Sequence, residues 1–273
     1  MNIREIVQWA LKEDIPRDDV TTDSLGIESK TGRATLVAKQ NLVLSGREVF
    51  ELSFRELDPG IKIRWNYDDA DNISSGQAIC VVEGPLVPLL KAERTALNFL
   101  GHLSGIATLT AGFAAKMKGT KTKIIDTRKT TPGLRKLEKA AVRHGGGSNH
   151  RAHLSERILV KENHIRAVGS IKETVRRLRE KSESKPIEIE VTNEKEIAEA
   201  LSSGVEQVLL DNMTLEQIES AVKLIKGRCL IEASGNMTLD RVESVAKLGV
   251  DFISVGQLTH SAPSADVSLL FER

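Results

Sequence analysis

Apolar residues Ile3, Ile6, Val7, Ala10 and Leu11 recur at the spacing of one helix face, so the chain opens on an amphipathic helix. A polar loop, Asp18-Asp19-Val20-Thr21-Thr22, follows it. From Gly32 to Glu83 the pattern shortens to strand-length runs: Ala34–Ala38, Leu42–Gly46, Ile61–Trp65 and Ala78–Val82. A helix is expected between them at Val49–Leu57, and Asn72–Gly76 reads as a turn. Pro85 then starts a helical pattern that runs to about Met117, with Leu89, Ala92, Ala96, Phe99 and Leu100 in period. From Lys123 onward strand and helix patterns alternate. Strands are expected at 123–125, 158–160, 187–191, 207–210, 229–233 and 252–255, and helices start near Leu134, Ser170, Glu194, Leu215 and Leu239. The last three strands follow one another every ~22 residues, the pace of short β-α units in a parallel sheet.

These patterns predict α/β plus α+β architecture in two domains. Residues 1–118 form an α+β domain that includes the long helix. Residues 119–263 form a parallel (β/α) unit of at least six strands, too short for the ~250 residues of an eight-fold barrel. A truncated or open barrel is expected, with 264–273 folding back onto the first domain.

Composition narrows the class. Hydrophobic residues make up 40%, enough for a sizeable core, and no apolar run approaches the ~20 residues of a membrane helix. The N-terminal pattern contains charges and is not read as a signal peptide. Cys80 and Cys229 lie in apolar runs and read as buried thiols with no disulfide and no zinc spacing, which suits a reducing cytoplasm.

Charge then singles out one stretch. Between Lys116 and Arg166 stand fourteen Lys or Arg and four Asp or Glu, in a chain of net charge +1. Four of the six histidines, His144, His150, His153 and His164, also fall here. So local an excess points to an anionic ligand. Pro132, Gly133 and Gly145–Gly147 strengthen that reading over a solvated basic face, because glycine lets backbone N–H groups approach a ligand.

Strand ends in parallel β/α folds carry the chemistry. Here they deliver Asp126, Thr127, Arg128 and Lys129, then Lys161 and His164. Glu190 follows, then Asp211 and Asn212, then Glu232 with Ser234-Gly235-Asn236, and finally Gly256. The expected rim is basic on its first two strands and acidic on the next three.

Thr127-Arg128-Lys129-Thr130-Thr131-Pro132-Gly133-Leu134-Arg135, Gly145-Gly146-Gly147-Ser148-Asn149-His150-Arg151 and Lys161-Glu162-Asn163-His164 resemble the quinolinate phosphoribosyltransferase family. The family is also called nicotinate-nucleotide pyrophosphorylase (carboxylating). Glu93-Arg94-Thr95-Ala96-Leu97-Asn98 is similar to its E-R-x-x-L-N helix, and the likeness covers nearly the whole chain. Departures are small: Glu162 stands where the family often has Asp, His144 precedes the glycines, and Gln257 is larger than the usual residue there.

The resemblance implies a truncated barrel beside a smaller N-terminal α+β sandwich. It implies a glycosyltransferase of de novo NAD biosynthesis, joining quinolinate to 5-phosphoribosyl 1-pyrophosphate. The products are nicotinate mononucleotide, pyrophosphate and CO₂. It implies a homo-oligomer, a dimer or a hexamer of dimers, in which Arg94 reaches the partner's site and holds a substrate carboxylate. Given such a donor, Glu190 and Asp211 are the expected oxygens for Mg²⁺, directly or through water or substrate, and for the ribose. Lys129, Lys161 and Arg151 take the pyrophosphate charge, and Ser234, Gly235, Asn236, Val255, Gly256 and Gln257 the 5′-phosphate. Arg94, Arg128, His150 and Arg151, with Thr127 and Lys129 close by, meet the two carboxylates of quinolinate. Lys129, Glu190 and Asp211 are the catalytic candidates.

Two relatives of the same fold compete, a nicotinate-specific phosphoribosyltransferase and the molybdenum-transport-associated paralogue. The former needs fewer carboxylate-binding cations than this chain carries. A nucleic-acid-binding role for the basic tract is disfavoured, since aromatic residues make up only 3% and stacking platforms are scarce.

Overall fold

The computed structural model describes residues 2–181 and 185–272. In chain order the first elements are α1 (Ile3–Asp14), β1 (Thr31–Ala38), β2 (Leu42–Val43), α2 (Arg47–Arg55), β3 (Lys62–Trp65), β4 (Asn72–Ile73), β5 (Ala78–Pro85) and α3 (Leu86–Lys116). Then come β6 (Lys123–Ile125), α4 (Arg135–His144), β7 (Ile158–Val160), α5 (Glu162–Val168), α6 (Ile171–Lys181), β8 (Ile187–Val191) and α7 (Glu194–Ser202). The chain closes with β9 (Gln207–Asp211), α8 (Leu215–Ile225), β10 (Leu230–Ser234), α9 (Leu239–Lys247), β11 (Phe252–Ser254), α10 (Gln257–His260) and β12 (Val267–Phe271).

Compactness divides the chain differently from the boundaries read on the sequence. One unit holds the chain up to Ala111, Thr130–Gly146 and the chain from Gln257; the other holds Gly112–Lys129 and Gly147–Gly256.

In the first unit an antiparallel sheet runs β12-β1-β5-β3, and β2 pairs with β4. The residues after Ala265 supply β12, which lies along β1 from Ala34↔Phe271 to Ala38↔Val267. Leu36, Phe50, Phe54, Ile79, Val82, Leu89 and Leu100 fill its core. Helix α1 starts on a capping box between Asn2 and Glu5, which satisfies two backbone donors that a helix start leaves open. Gly145 belongs to packing: a Cβ there would lie 2.3 Å from the Ala107 carbonyl oxygen. That accounts for this glycine without any ligand.

The second unit is a parallel sheet in the order β6-β11-β10-β9-β8-β7, so β6 and β7 close the two ends of an open row. Its strands are buried on both faces, as the near-continuous Ile, Val and Leu runs require. Side-chain caps start three of its helices: Asn193 for α7, Thr214 for α8 and Thr238 for α9. The helix expected near Ser170 is α6; a further helix, α5, precedes it and ends at Gly169, φ 113°. Cys80 is buried as expected, whereas Cys229, just before β10, is only half-buried; both are free thiols. Among the described residues no helix is long and apolar enough to cross a membrane.

Candidate active site

Side chains alternate along a strand, so Glu188 and Glu190 share one face of β8, and Gln207 and Asp211 share one face of β9. Register brings these faces together: Glu188 pairs with Gln207, and Ser234 with Asp211. The result is two layers, one at the strand ends and one a turn of the pleat below.

The upper layer holds the expected rim. Lys161 Nζ lies 2.7 Å from Glu190 Oε2. The Asp211 carboxyl is raised, by burial first and by the charge of Glu190 second, while Asn212, Lys161 and Lys129 pull it down. Two carboxylates and two lysines therefore act on one another at the ends of β6, β7, β8 and β9. Thr127 Oγ1 accepts the Lys129 N–H at 3.0 Å, turning the chain beyond β6. Arg151 is 7% exposed and donates from Nη1 to the Arg157 carbonyl at 2.9 Å. Burial first, then the charge of Arg128, pushes its guanidinium down. Two guanidiniums held against their mutual repulsion are stabilised by an anion between them. Glu190 and Asp211, hard oxygen donors pressed together, also suit a Mg²⁺ ion.

The lower layer is a network that the sequence reading placed differently. Glu232 was expected on the rim, but it lies two residues before the end of β10 and is 1% exposed. It faces Glu188, also 1% exposed, and Gln207 Nε2 donates to both, at 2.8 Å to Glu188 and 2.9 Å to Glu232. His150 Nε2 is 3.0 Å from Glu188 and 3.6 Å from Glu232. Its Nδ1 accepts the Arg151 backbone N–H at 2.8 Å, and the His150 backbone N–H donates to Asp126 Oδ1 at 2.8 Å. The sequence reading put His150 among the groups that meet the dicarboxylate; here its ring is engaged by Glu188 and by the Arg151 N–H. His150, Glu188 and Glu232 are metal-ligating types gathered within 4.8 Å. Gln207 donates to both carboxylates and His150 lies against Glu188, so hydrogen bonds tie this group together.

Glu188 and Gln207 were absent from the sequence-derived site. Their signal was periodicity: Ile187-Glu188-Ile189-Glu190 puts both glutamates on one face, two residues apart. Asp126 is likewise buried, where Asn149 Nδ2 donates to its Oδ2 at 2.5 Å. It braces the chain before Arg151.

The Glu232 carboxyl is pushed up to about 8, by burial first and Glu188 second, against the pull of His150 and Ser254. Glu188 is raised by burial as well. The folded chain therefore keeps a proton that the unfolded chain releases near the ordinary 4.5. Between those limits the folded state binds more protons, so stability falls as pH rises. Glu232→Gln keeps a neutral side chain of the same shape. From pH 6 to 8 the wild type is expected to lose roughly 2 kcal/mol more stability than the variant, about 4–8 °C in melting temperature at this size. Calorimetric melts at both pH values check this, and parallel losses would contradict it.

The phosphate-binding expectations separate in the structure. Ser234 ends β10, and Gly235 (φ 89°) and Asn236 (φ 49°) turn left-handed beyond it. Val255 is different: it is buried and its N–H donates to the Ile125 carbonyl at 3.0 Å, so that N–H is spent inside the sheet. Gly256 ends this unit, and Gln257 opens α10 in the other. Arg94 also belongs to the other unit, exposed on α3. The geometry of this unit thus gathers Thr127, Arg128, Lys129, Arg151, Lys161, Glu190, Asp211 and the turn after β10.

The pattern of the quinolinate phosphoribosyl transferase N-terminal domain matches residues 19–104, and that of its C-terminal domain matches residues 106–270. A "Probable nicotinate-nucleotide pyrophosphorylase [carboxylating]" of Synechocystis is 41% identical over 97% of this chain and 91% of its own length. The crystal structure of a nicotinate-nucleotide pyrophosphorylase from Ehrlichia chaffeensis superposes with a TM-score of 0.96 at 37% identity, covering 100% of this chain and 99% of that one. NadC from Streptococcus pyogenes gives 0.94 at 40% identity, covering 99% and 97%.

Proposed function

The chain belongs to the quinolinate phosphoribosyl transferase family, and on that premise we propose how its residues carry out phosphoribosyl transfer to quinolinate. The carrying observation is the split rim, in which Lys129 and Lys161 stand beside Glu190 and Asp211. A phosphoribosyl pyrophosphate is anionic at both ends, and its ribose turns cationic between them as the C1–pyrophosphate bond breaks.

Lys129, Lys161 and Arg151 hold the departing pyrophosphate. Glu190 and Asp211 face the ribose and stabilise the charge that develops on it. The turn at Ser234-Gly235-Asn236 takes the 5′-phosphate. Mg²⁺ carried in with the donor would be held by Glu190 and Asp211, and would neutralise pyrophosphate charge. Arg128 and Arg151 receive the two carboxylates of quinolinate, with Arg94 of a second copy completing the set. The ring nitrogen then forms its bond to C1 as pyrophosphate leaves. The pyridinium nitrogen stabilises the electron pair left when the adjacent carboxylate departs as CO₂, and that carbon takes a proton. Positioning and electrostatics suffice, with no protein nucleophile. The free thiols at Cys80 and Cys229 suit work in a reducing cytoplasm.

Nicotinate lacks one carboxylate, so it leaves part of the arginine charge unanswered. Offered with phosphoribosyl pyrophosphate and Mg²⁺, quinolinate is expected to be consumed and nicotinate not. Equal consumption of both would favour the nicotinate-specific reading.

A further inference from the structure

The turns after β9 and β10 repeat one another. Asn212-Met213-Thr214-Leu215 and Asn236-Met237-Thr238-Leu239 carry the same four residues. In each copy the Asn is left-handed, at φ 54° and 49°, and the Met is buried. In each the Thr hydroxyl accepts a backbone N–H three residues on, at 3.3 Å, and the Leu opens the helix. The copies differ by one residue. Asp211 leads straight into Asn212, whereas Gly235 stands between Ser234, the register partner of Asp211, and Asn236. A Cβ on Gly235 would lie 2.1 Å from Asn212 Oδ1, so the extra residue has to be glycine for the turns to lie side by side.

Two side chains tie these turns together. Asn212 Nδ2 donates to Asp211 Oδ2 at 2.8 Å, and Asn212 Oδ1 accepts from Asn236 Nδ2 at 3.4 Å. Arg241, in the first turn of α9, donates from Nη1 to the Gly235 carbonyl at 3.3 Å and from Nη2 to the Met213 carbonyl. One planar guanidinium therefore spans both turns, a geometry that a lysine cannot reproduce. Left-handed backbone at three neighbouring positions is costly even for asparagine, so it needs such external ties.

We infer that Arg241 and Asn212 are positioning residues that fix the spacing between Asp211 and the Gly235-Asn236 turn, so that one ribose 5-phosphate is met at both ends. The inference rests on the phosphoribosyl reading above. Neither residue is asked to touch the reacting atoms; Arg241 acts through two main-chain carbonyls, and Asn212 through a carboxylate and an amide.

The consequence is a selective one. Quinolinate is met by Arg128, just beyond β6, and Arg151, in the loop before β7, so loosening these turns should leave it alone. Arg241→Ala is expected to raise KM for phosphoribosyl pyrophosphate about tenfold, the loss of two modest hydrogen bonds. Turnover at saturating donor should stay within about twofold. The dissociation constant of quinolinate, measured alone by calorimetry, should not move. Arg241→Lys, which restores one of the two contacts, should show a smaller rise of the same kind and covers the case in which the alanine variant fails to fold. A donor KM within twofold of wild type in both variants would overturn the inference, as would an equal loss of quinolinate affinity. Wild-type protein that fails to turn over quinolinate with phosphoribosyl pyrophosphate would instead remove the reading beneath it.

Discussion

Glu190→Gln and Asp211→Asn are each expected to lower turnover by on the order of 10²–10³ while leaving the fold intact. The argument runs from position to charge. Both carboxylates stand at adjacent strand ends, and the Asp211 carboxyl is raised by burial and by Glu190. Holding two acids together costs free energy in the resting protein, and a cationic ribose returns it. Each amide keeps the shape and removes the charge, so the loss should fall on the chemical step. The folding cost is small, because Lys161, the partner of Glu190, is 48% exposed and such a pair contributes little. Steady-state rates with circular dichroism on the same samples check both halves. Near wild-type rates in both variants would contradict the assignment.

Arg94→Ala is expected to cost on the order of 10² or more in rate, since a bidentate arginine–carboxylate contact is among the stronger hydrogen-bonded pairs. Arg94 is exposed in its own chain. If it serves the site of a second copy, then Arg94→Ala and Lys161→Ala, each inactive alone, should complement one another. Random exchange makes about half the dimers mixed, each with one site carrying both lesions and one carrying neither. Roughly a quarter of wild-type activity should return by symmetry. A mixture that stays inactive after subunit exchange is confirmed by mass spectrometry would place Arg94 in its own chain's site.

Periodicity in the sequence located the strands of the parallel sheet to within a residue or two, because strands buried on both faces are written as unbroken apolar runs. It placed the rim at Lys161, Glu190 and Asp211 for the same reason, since a charged residue at the end of such a run has only one place to go. It misplaced Glu232. A glutamate within an apolar strand looks like a strand end until its neighbour Glu188 is known to face it, and that pairing depends on register between β8, β9 and β10. The partners of His150 were equally beyond reach, because they are the Arg151 N–H and carboxylates on distant strands. Val255 was lost to the sheet's own hydrogen bonding. Motif spacing cannot reveal which backbone donors are already spent.

Quinolinate labelled with ¹³C in the carboxylate next to the ring nitrogen tests the central claim most directly. With phosphoribosyl pyrophosphate and Mg²⁺, labelled CO₂, pyrophosphate and nicotinate mononucleotide should appear in equal amounts, and the nucleotide should carry no label. A labelled nucleotide, or pyrophosphate released without CO₂, would contradict the account.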